Sequence, residues 1–297
     1  CMVISASGQI GSALMREGAR RQWDMVGTAR DHPEFVERPV RLDLEDPAAI
    51  DAVIREVRPE AVCLVSGMGN ADLAEEDPRR AWKLNSEAAE ATARTAAAVC
   101  ARFSYVSSAF VFDGSSERYY ENSAVRPLSV YGQSKVDGER RVQQAHPNAL
   151  ILRTVVVYGP DPQRRNFATQ VVDRLSRGEA MQVPVDQIAN PIYNRDFARI
   201  AMELMERDSS GIWNVAGTDE IDRYSFGVRI ARRFGLEESQ LKATLTSKMG
   251  YRAPRPLSAC LSIEKLHTAG IEIPGSLDRG IEDFFASERE RKGENGQ

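Results

Sequence analysis

The chain has 297 residues, 42% of them hydrophobic and 28% charged, which suits one large domain or two unequal lobes built on a real core. A formal net charge of −4 without a long basic run argues against nucleic acid or anionic membrane as principal partners. The apolar stretches fall far short of the ~20 residues of a membrane span, and four scattered cysteines (Cys1, Cys63, Cys100, Cys260) with three histidines argue against a disulfide framework or a metal site.

The chain opens on "CMVIS", which predicts a strand, with no basic flank of a signal peptide; a few leading residues are expected to precede it. A helix follows from Gly11 to about Gln22, then the strand "DMVGTA", the short strand "VRLDL" and a helix over 47–57 entered through Asp46-Pro47. "EAVCLVSG" predicts a strand, residues 78–100 one long alanine-rich helix, and "RFSYVSS" another strand. A helix runs to about Ala145, and "ALILRTVVVYG" reads as a single strand. This alternation implies an α/β fold of the doubly wound Rossmann type, a mostly parallel sheet with helices on both faces. Beyond Gly159-Pro160 the rhythm loosens: helices are expected at about 165–177, 194–207, 223–234 and 278–290, with short strands at "MQVP" and "GIWNVAG". The expected division is a dinucleotide-binding domain over 1–160, rejoined by 194–215, and a smaller α/β substrate-binding lobe from 161–193 and 216–297. Met181, Met202, Met205 and Trp213 read as core. Ligand should lie between the lobes at the carboxyl ends of the strands.

Three motifs along this frame carry chemistry. "VISASGQIGSALM" joins the first strand to the first helix, and Gly8 and Gly11 have the spacing of the last two glycines of a dinucleotide-binding turn. Small residues there let backbone approach a pyrophosphate held by the helix N-terminus, so Ser7, Gly8, Gln9 and Ile10 are cofactor candidates. Ser5 stands where the first glycine is expected and resists the positive φ that glycine accepts. In "GTARDH", Ala29 takes the place of the acidic residue that would hold a ribose diol. Arg30 suits a 2′-phosphate, so NADP(H) is favoured over NAD(H), with Asp31 as a competing ribose contact. In "LDLED", Asp43 could bind the adenine amino group and Leu44 cover the ring; Ser66 and Gly67 end the fourth strand against the same ligand. Ser107 and Ser108 end the fifth strand, 23 residues before Tyr131 in "YGQSK". Tyr131 and Lys135 lie one helical turn apart, and an ammonium there is expected to draw the phenol pKa down. Arg164, Arg165 and Arg255 could face an anionic diphosphate.

In order, the glycine turn, serine pair and YxxxK resemble the extended short-chain dehydrogenase/reductases over nearly the whole chain. Within them the chain is most similar to the dTDP-4-dehydrorhamnose reductase family. "SSAFVFDG", "RPLSVYGQSKVDGE", "RNFATQVVDRLSRGEAMQVPVDQIANPIYNRDFA" and "RPLSACLSIEKL" carry the likeness. The resemblance implies Ser108, Tyr131 and Lys135 as catalytic triad, with Asn85 of "AWKLNSEAA" positioning a water behind the lysine. It implies Ser107, Ala109, Asn166 and Arg255 at a nucleotide-sugar substrate, and an NADP(H)-dependent reductase of a linked 4-keto-6-deoxy sugar; the scattered cysteines point to a reducing cytoplasm as its expected home. A homodimer is left open. Ala109-Phe110 replaces both the family's usual "DY" and the Asp-Glu pair of dehydratase relatives, which argues against dehydration. A nucleotide-sugar epimerase stays open. So does a regulatory role: the beta subunit of methionine adenosyltransferase resembles these reductases, binds NADP, and has "SS" before "VFDG" and "RP" before the last helices.

Overall fold

The computed structural model describes residues 1–65 and 67–294. The first half runs β1 (Met2–Ile4), α1 (Gln9–Arg20), β2 (Val26–Ala29), β3 (Val40–Arg41), α2 (Pro47–Val57), β4 (Ala61–Leu64), α3 (Ala71–Glu76) and α4 (Pro78–Trp82). A π-helical turn over Lys83–Glu87 links α4 to α5 (Ala88–Ala98), followed by β5 (Arg102–Ser108), α6 (Val130–Ala145) and β6 (Leu150–Thr154). The remainder is β7 (Val157–Tyr158), α7 (Phe167–Ser176), β8 (Met181–Pro184), β9 (Ile188–Ala189), β10 (Ile192–Tyr193), α8 (Asn194–Glu206), β11 (Gly211–Asn214), β12 (Ile221–Asp222), α9 (Arg223–Arg233), β13 (Leu241–Thr244), α10 (Glu264–Thr268) and α11 (Leu277–Glu294).

Seven strands form the central sheet in the order β11-β6-β5-β4-β1-β2-β3, every pair parallel. This is the doubly wound α/β architecture that the alternating pattern predicts. Alternate residues feed the two faces, as strands covered on both sides require. Val3, Leu150 and Leu152 pack with Leu14, Ile200 and Met202 of α1 and α8. Met2, Ile4 and Ile151 pack with Ile50, Ile54 and Ala89 of α2 and α5. Trp213, Met202 and Met205 are core as read; Met181 is buried but also borders the main cavity. A smaller cluster around Tyr158, Phe167, Phe226 and Phe284 joins α7, α9 and α11, with β8 and β13 paired beside it.

Two elements depart from the sequence reading. "ALILRTVVVYG" is not one strand: Val156 takes φ 41, and the chain leaves the sheet so that β7 pairs with β10 instead. A positive φ at a β-branched residue is costly, and here it opens the carboxyl edge of β6. The helix expected over 78–100 runs without a break from Pro78 to Ala98 but widens at the π-helical turn, which brings the Asn85 carbonyl to the Tyr105 hydroxyl at 2.7 Å. Asp46, Asn70 and Asp77 cap the helices that follow them, Pro47 and Pro78 standing in their first turns.

Candidate active site

The turn after β1 is built by three small residues. Ser5 adopts φ 67, its amide donating to the Thr28 hydroxyl at 3.2 Å and its carbonyl accepting from Gly8 at 3.5 Å. Serine therefore occupies the left-handed conformation a glycine would take freely. A Cβ on Gly11 would stand 2.4 Å from the Ser5 carbonyl oxygen, so the close approach of α1 to the turn needs glycine there. The turn opens onto a cavity of about 470 Å³ bordered by Ser5, Ser7, Gly8, Gln9, Ile10, Gly67, Arg30, Asp43 and Leu44. The Gln9 Oε1 atom is buried without a partner among the described residues. Ser66 lies outside the described residues.

Arg30 is not a free guanidinium. It pairs with Asp31 at 2.7 Å and Glu45 at 3.3 Å, with Asp43 at 3.7 Å, and Glu45 also pairs with Arg80 at 2.9 Å. Sequence reasoning set Arg30 against Asp31 alone; the acidic run "LDLED" was the signal that more carboxylates would converge on it.

A larger cavity of about 1180 Å³ shares Gly8, Gln9, Ile10, Gly67, Gln163 and Arg165 with the first. Ser108, Tyr131 and Lys135 border it together. Ser129 caps α6, its hydroxyl accepting from Gly132 at 3.2 Å. A Cβ on Gly132 would stand 2.2 Å from the Phe110 carbonyl oxygen, so this glycine lets α6 close on the end of β5. Lys135 is buried; its ammonium donates to the Val106 carbonyl at 3.0 Å and lies 4.6 Å from the centre of the Tyr105 ring. Burial lowers its pKa to about 8, against the pull of Glu139.

The phenol behaves contrary to expectation. Burial pushes the Tyr131 pKa above its ordinary value, with the facing Ser108 hydroxyl offsetting only part of the rise. The lysine turns its charge to a carbonyl and a ring, and desolvation outweighs any pull toward phenolate.

Asn85 is wholly buried, its oxygen accepting from the Met68 amide at 2.7 Å and its NH₂ donating to the Ser134 hydroxyl at 2.9 Å. A Cβ on Gly67 would fall 2.2 Å from Asn85 Oδ1 and 3.2 Å from Lys135 Nζ, so both groups face the Gly67 backbone.

Residues expected at a substrate divide. Asn166 borders the large cavity but caps α7, accepting from Thr169 at 3.0 Å and donating to Gly159 at 3.0 Å. Arg255 borders it too, paired with Asp72 at 2.7 Å and stacked 3.8 Å from the Tyr251 ring. Ser107 reaches its edge, but its hydroxyl donates to Glu139 at 2.6 Å. Ala109 is a correction: a tight turn after β5 directs it into an apolar cluster with Val111 and Phe112, and Phe110 borders the cavity instead. Arg164 is another, since Asp173 at 2.6 Å and Glu288 at 3.0 Å hold it away, whereas Arg165 borders both cavities. Arg223 was missed. It lines the large cavity with its guanidinium 4.4 Å from the Phe167 ring, and burial lowers its pKa. Thr154 was missed as well: paired in register with Ser108, it borders the cavity, and its buried hydroxyl has no partner among the described residues. Neither lies in a pattern that sequence could flag.

The RmlD substrate binding domain family matches residues 1–289, nearly the whole described chain. The chain belongs to that family. Among curated relatives, methionine adenosyltransferase 2 subunit beta of Xenopus laevis is 32% identical over 279 residues, covering 91% of this chain and 82% of that protein. Spore coat polysaccharide biosynthesis protein SpsK of Bacillus subtilis is 26% identical over 271 residues, 91% of each chain. A dTDP-4-dehydrorhamnose reductase from Bacillus anthracis, solved in complex with NADP, superposes with a TM-score of 0.88 at 25% identity, covering 96% of this chain and 98% of that one. Among the described residues, no helix is long and apolar enough to cross a membrane.

Proposed function

We propose that this chain is an NADP(H)-dependent reductase of a nucleotide-linked 4-keto-6-deoxy sugar. The observation that carries the reading is the meeting of Ser108, Tyr131 and Lys135 on one wall of a cavity continuous with the glycine turn. That turn fits a dinucleotide: Gly11 permits the close backbone approach, and Ser7, Gly8, Gln9 and Ile10 border the cavity at the start of the first helix. Ser7, Gly8, Gln9 and Ile10 would hold the phosphates, Asp43 and Leu44 the adenine, and Lys135 the nicotinamide ribose, while Arg30 would exchange its carboxylate partners Asp31 and Glu45 for the 2′-phosphate. The bound dinucleotide supplies the hydride.

The chain's own residues handle the proton and the charge. Ser108 hydrogen-bonds the oxygen at C4, and Tyr131, kept protonated by burial, donates its proton to that oxygen as it gains charge. Arg223 and Arg255 line the far part of the cavity, where guanidinium groups favour a diphosphate. The test is loss of NADPH absorbance on adding dTDP-, UDP- or GDP-linked 4-keto-6-deoxy sugars. Conversion of a nucleotide sugar without net NADPH loss would mark an epimerase.

A second reading is favoured by the 32% identity to methionine adenosyltransferase 2 subunit beta: a dinucleotide-binding regulatory subunit. It predicts a chain that binds NADPH, reduces none of these sugars and co-purifies with a methionine adenosyltransferase.

A further inference from the structure

Directly under the end of β5 lies an ion pair with almost no access to water: the side chains of Arg153 and Glu139 are 3% and 6% exposed. Arg153 donates from Nε to Glu139 Oε1 at 2.9 Å and from Nη2 to Oε2 at 2.7 Å. The Ser107 hydroxyl adds a third bond to Oε1 at 2.6 Å. The rest of the guanidinium is occupied by the Glu121 carbonyl at 3.1 Å and by the Phe112 ring, 5.2 Å away. Desolvating two charges is expensive, and apolar residues of similar volume commonly do as well or better for stability. Stability alone is thus a poor account of this pair, and its position offers another.

Glu139 follows Lys135 by one turn and Tyr131 by two, so all three share a face of α6. Ser107 immediately precedes Ser108, and Arg153 immediately precedes Thr154. One carboxylate therefore ties α6 to the ends of both β5 and β6 at the level of Ser108. Gly138 lets the helix come so close, since a Cβ there would stand 2.3 Å from the Asn85 carbonyl oxygen and 2.6 Å from the Tyr105 hydroxyl. Among the described residues, the charged and titratable groups near Lys135 are Glu139 and Tyr131 on its own helix and Tyr105 on β5, with Arg153 of β6 bound to Glu139; Asn85 of the π-helical turn is neutral. Of these, Glu139 is the carboxylate that favours the ammonium.

We propose that Glu139 is the positioning residue of this site, fixing α6 against β5 and β6 through Ser107 and Arg153 one helical turn from Lys135. The inference rests on reading Ser108, Tyr131 and Lys135 as the reacting set. It separates Glu139 from an ordinary buried structural carboxylate, which would leave the ionisation of Lys135 unchanged.

The experiment is ¹³Cε NMR on protein labelled at its six lysines, titrated without dinucleotide or sugar, with Lys135→Arg identifying the resonance. The Lys135 midpoint in the parent is expected at about 8. Glu139→Gln keeps the shape and an acceptor for Ser107, and should lower that midpoint by about one unit, as loss of a neighbouring opposite charge does. A folded Glu139→Gln protein with an unchanged midpoint overturns the proposal. If Glu139→Gln fails to fold because Arg153 is left unpaired, Glu139→Gln/Arg153→Met removes both charges. The midpoint should still fall, because Glu139 lies on the lysine's own helix face; no fall overturns the proposal there too. A parent protein that reduces no sugar would refute the reductase reading while leaving this titration fully readable.

Discussion

The Asn85 carboxamide donates to the Ser134 hydroxyl at 2.9 Å while accepting from the Met68 amide at 2.7 Å, so one buried side chain joins the loop after β4 to the helix of Tyr131 and Lys135. Asn85→Ala leaves the half-buried Met68 amide without this acceptor and the Ser134 hydroxyl with only its bond to the Tyr131 carbonyl, and should cost about 1–3 kcal/mol. Denaturant unfolding measures this. NADPH affinity, followed by fluorescence, should weaken in the same variant because the Met68 loop loses its tether.

Tyr131→Phe keeps the ring that packs edge-on to Phe110, with centroids 5.4 Å apart, and removes only the hydroxyl. Turnover should fall by roughly 10²–10⁴, the range for one acid–base group. NADPH affinity should hardly change, which separates loss of chemistry from loss of fold. Steady-state kinetics alongside calorimetric binding provide the check.

The pH dependence follows from two opposed ionisations. Burial raises Tyr131, so the phenol keeps its proton well into alkaline conditions, as a donor must. Burial lowers Lys135 to about 8, so the ammonium is lost first. Reductive turnover should be level below that point and decline above about pH 8, and a pH–rate profile in the NADPH-oxidising direction tests it. The sign for folding is the reverse. Between the folded midpoint near 8 and the unfolded value near 10.5, only the unfolded chain holds this proton, so the lysine's contribution to stability improves as pH rises.

Ser5 and Gly11 predict opposite outcomes for exchanges of similar size. Ser5→Gly relieves a serine at φ 67 and should stabilise the protein by up to about 1 kcal/mol, seen as a raised Tm. Gly11→Ala drives a Cβ to within 2.4 Å of the Ser5 carbonyl oxygen. It should lower the Tm and weaken NADPH binding together, because the whole turn must shift.

The order of glycine turn, serine pair and YGQSK was legible because each motif sits where a strand meets a helix, and local residues dictate such junctions: Ser129 caps, Gly132 permits approach, Gly11 permits closure. What escaped depends on contacts distant in sequence. Three successive valines read as strand, yet Val156 turns out of the sheet because β7 finds β10 some 35 residues on. The alanine-rich run of α4 and α5 gives no hint of a π-helical turn, which serves Asn85 and Tyr105 across the fold. Whether Ala109 or Phe110 meets the cavity depends on one tight turn after β5. The pKa of Tyr131 was read from a neighbour at i+4, whereas burial, a property of the assembled core, decides its direction. Arg223 reaches the cavity from α9, the start of an ordinary amphipathic pattern.

The most direct measurement is the stoichiometry of NADPH consumption with a dTDP-linked 4-keto-6-deoxy sugar, parent protein beside Tyr131→Phe. The account predicts one NADPH oxidised per sugar reduced, at a rate that falls by at least about 100-fold in the variant. Tight NADPH binding by both proteins, with no oxidation by the parent on dTDP-, UDP- or GDP-linked substrates, would contradict it.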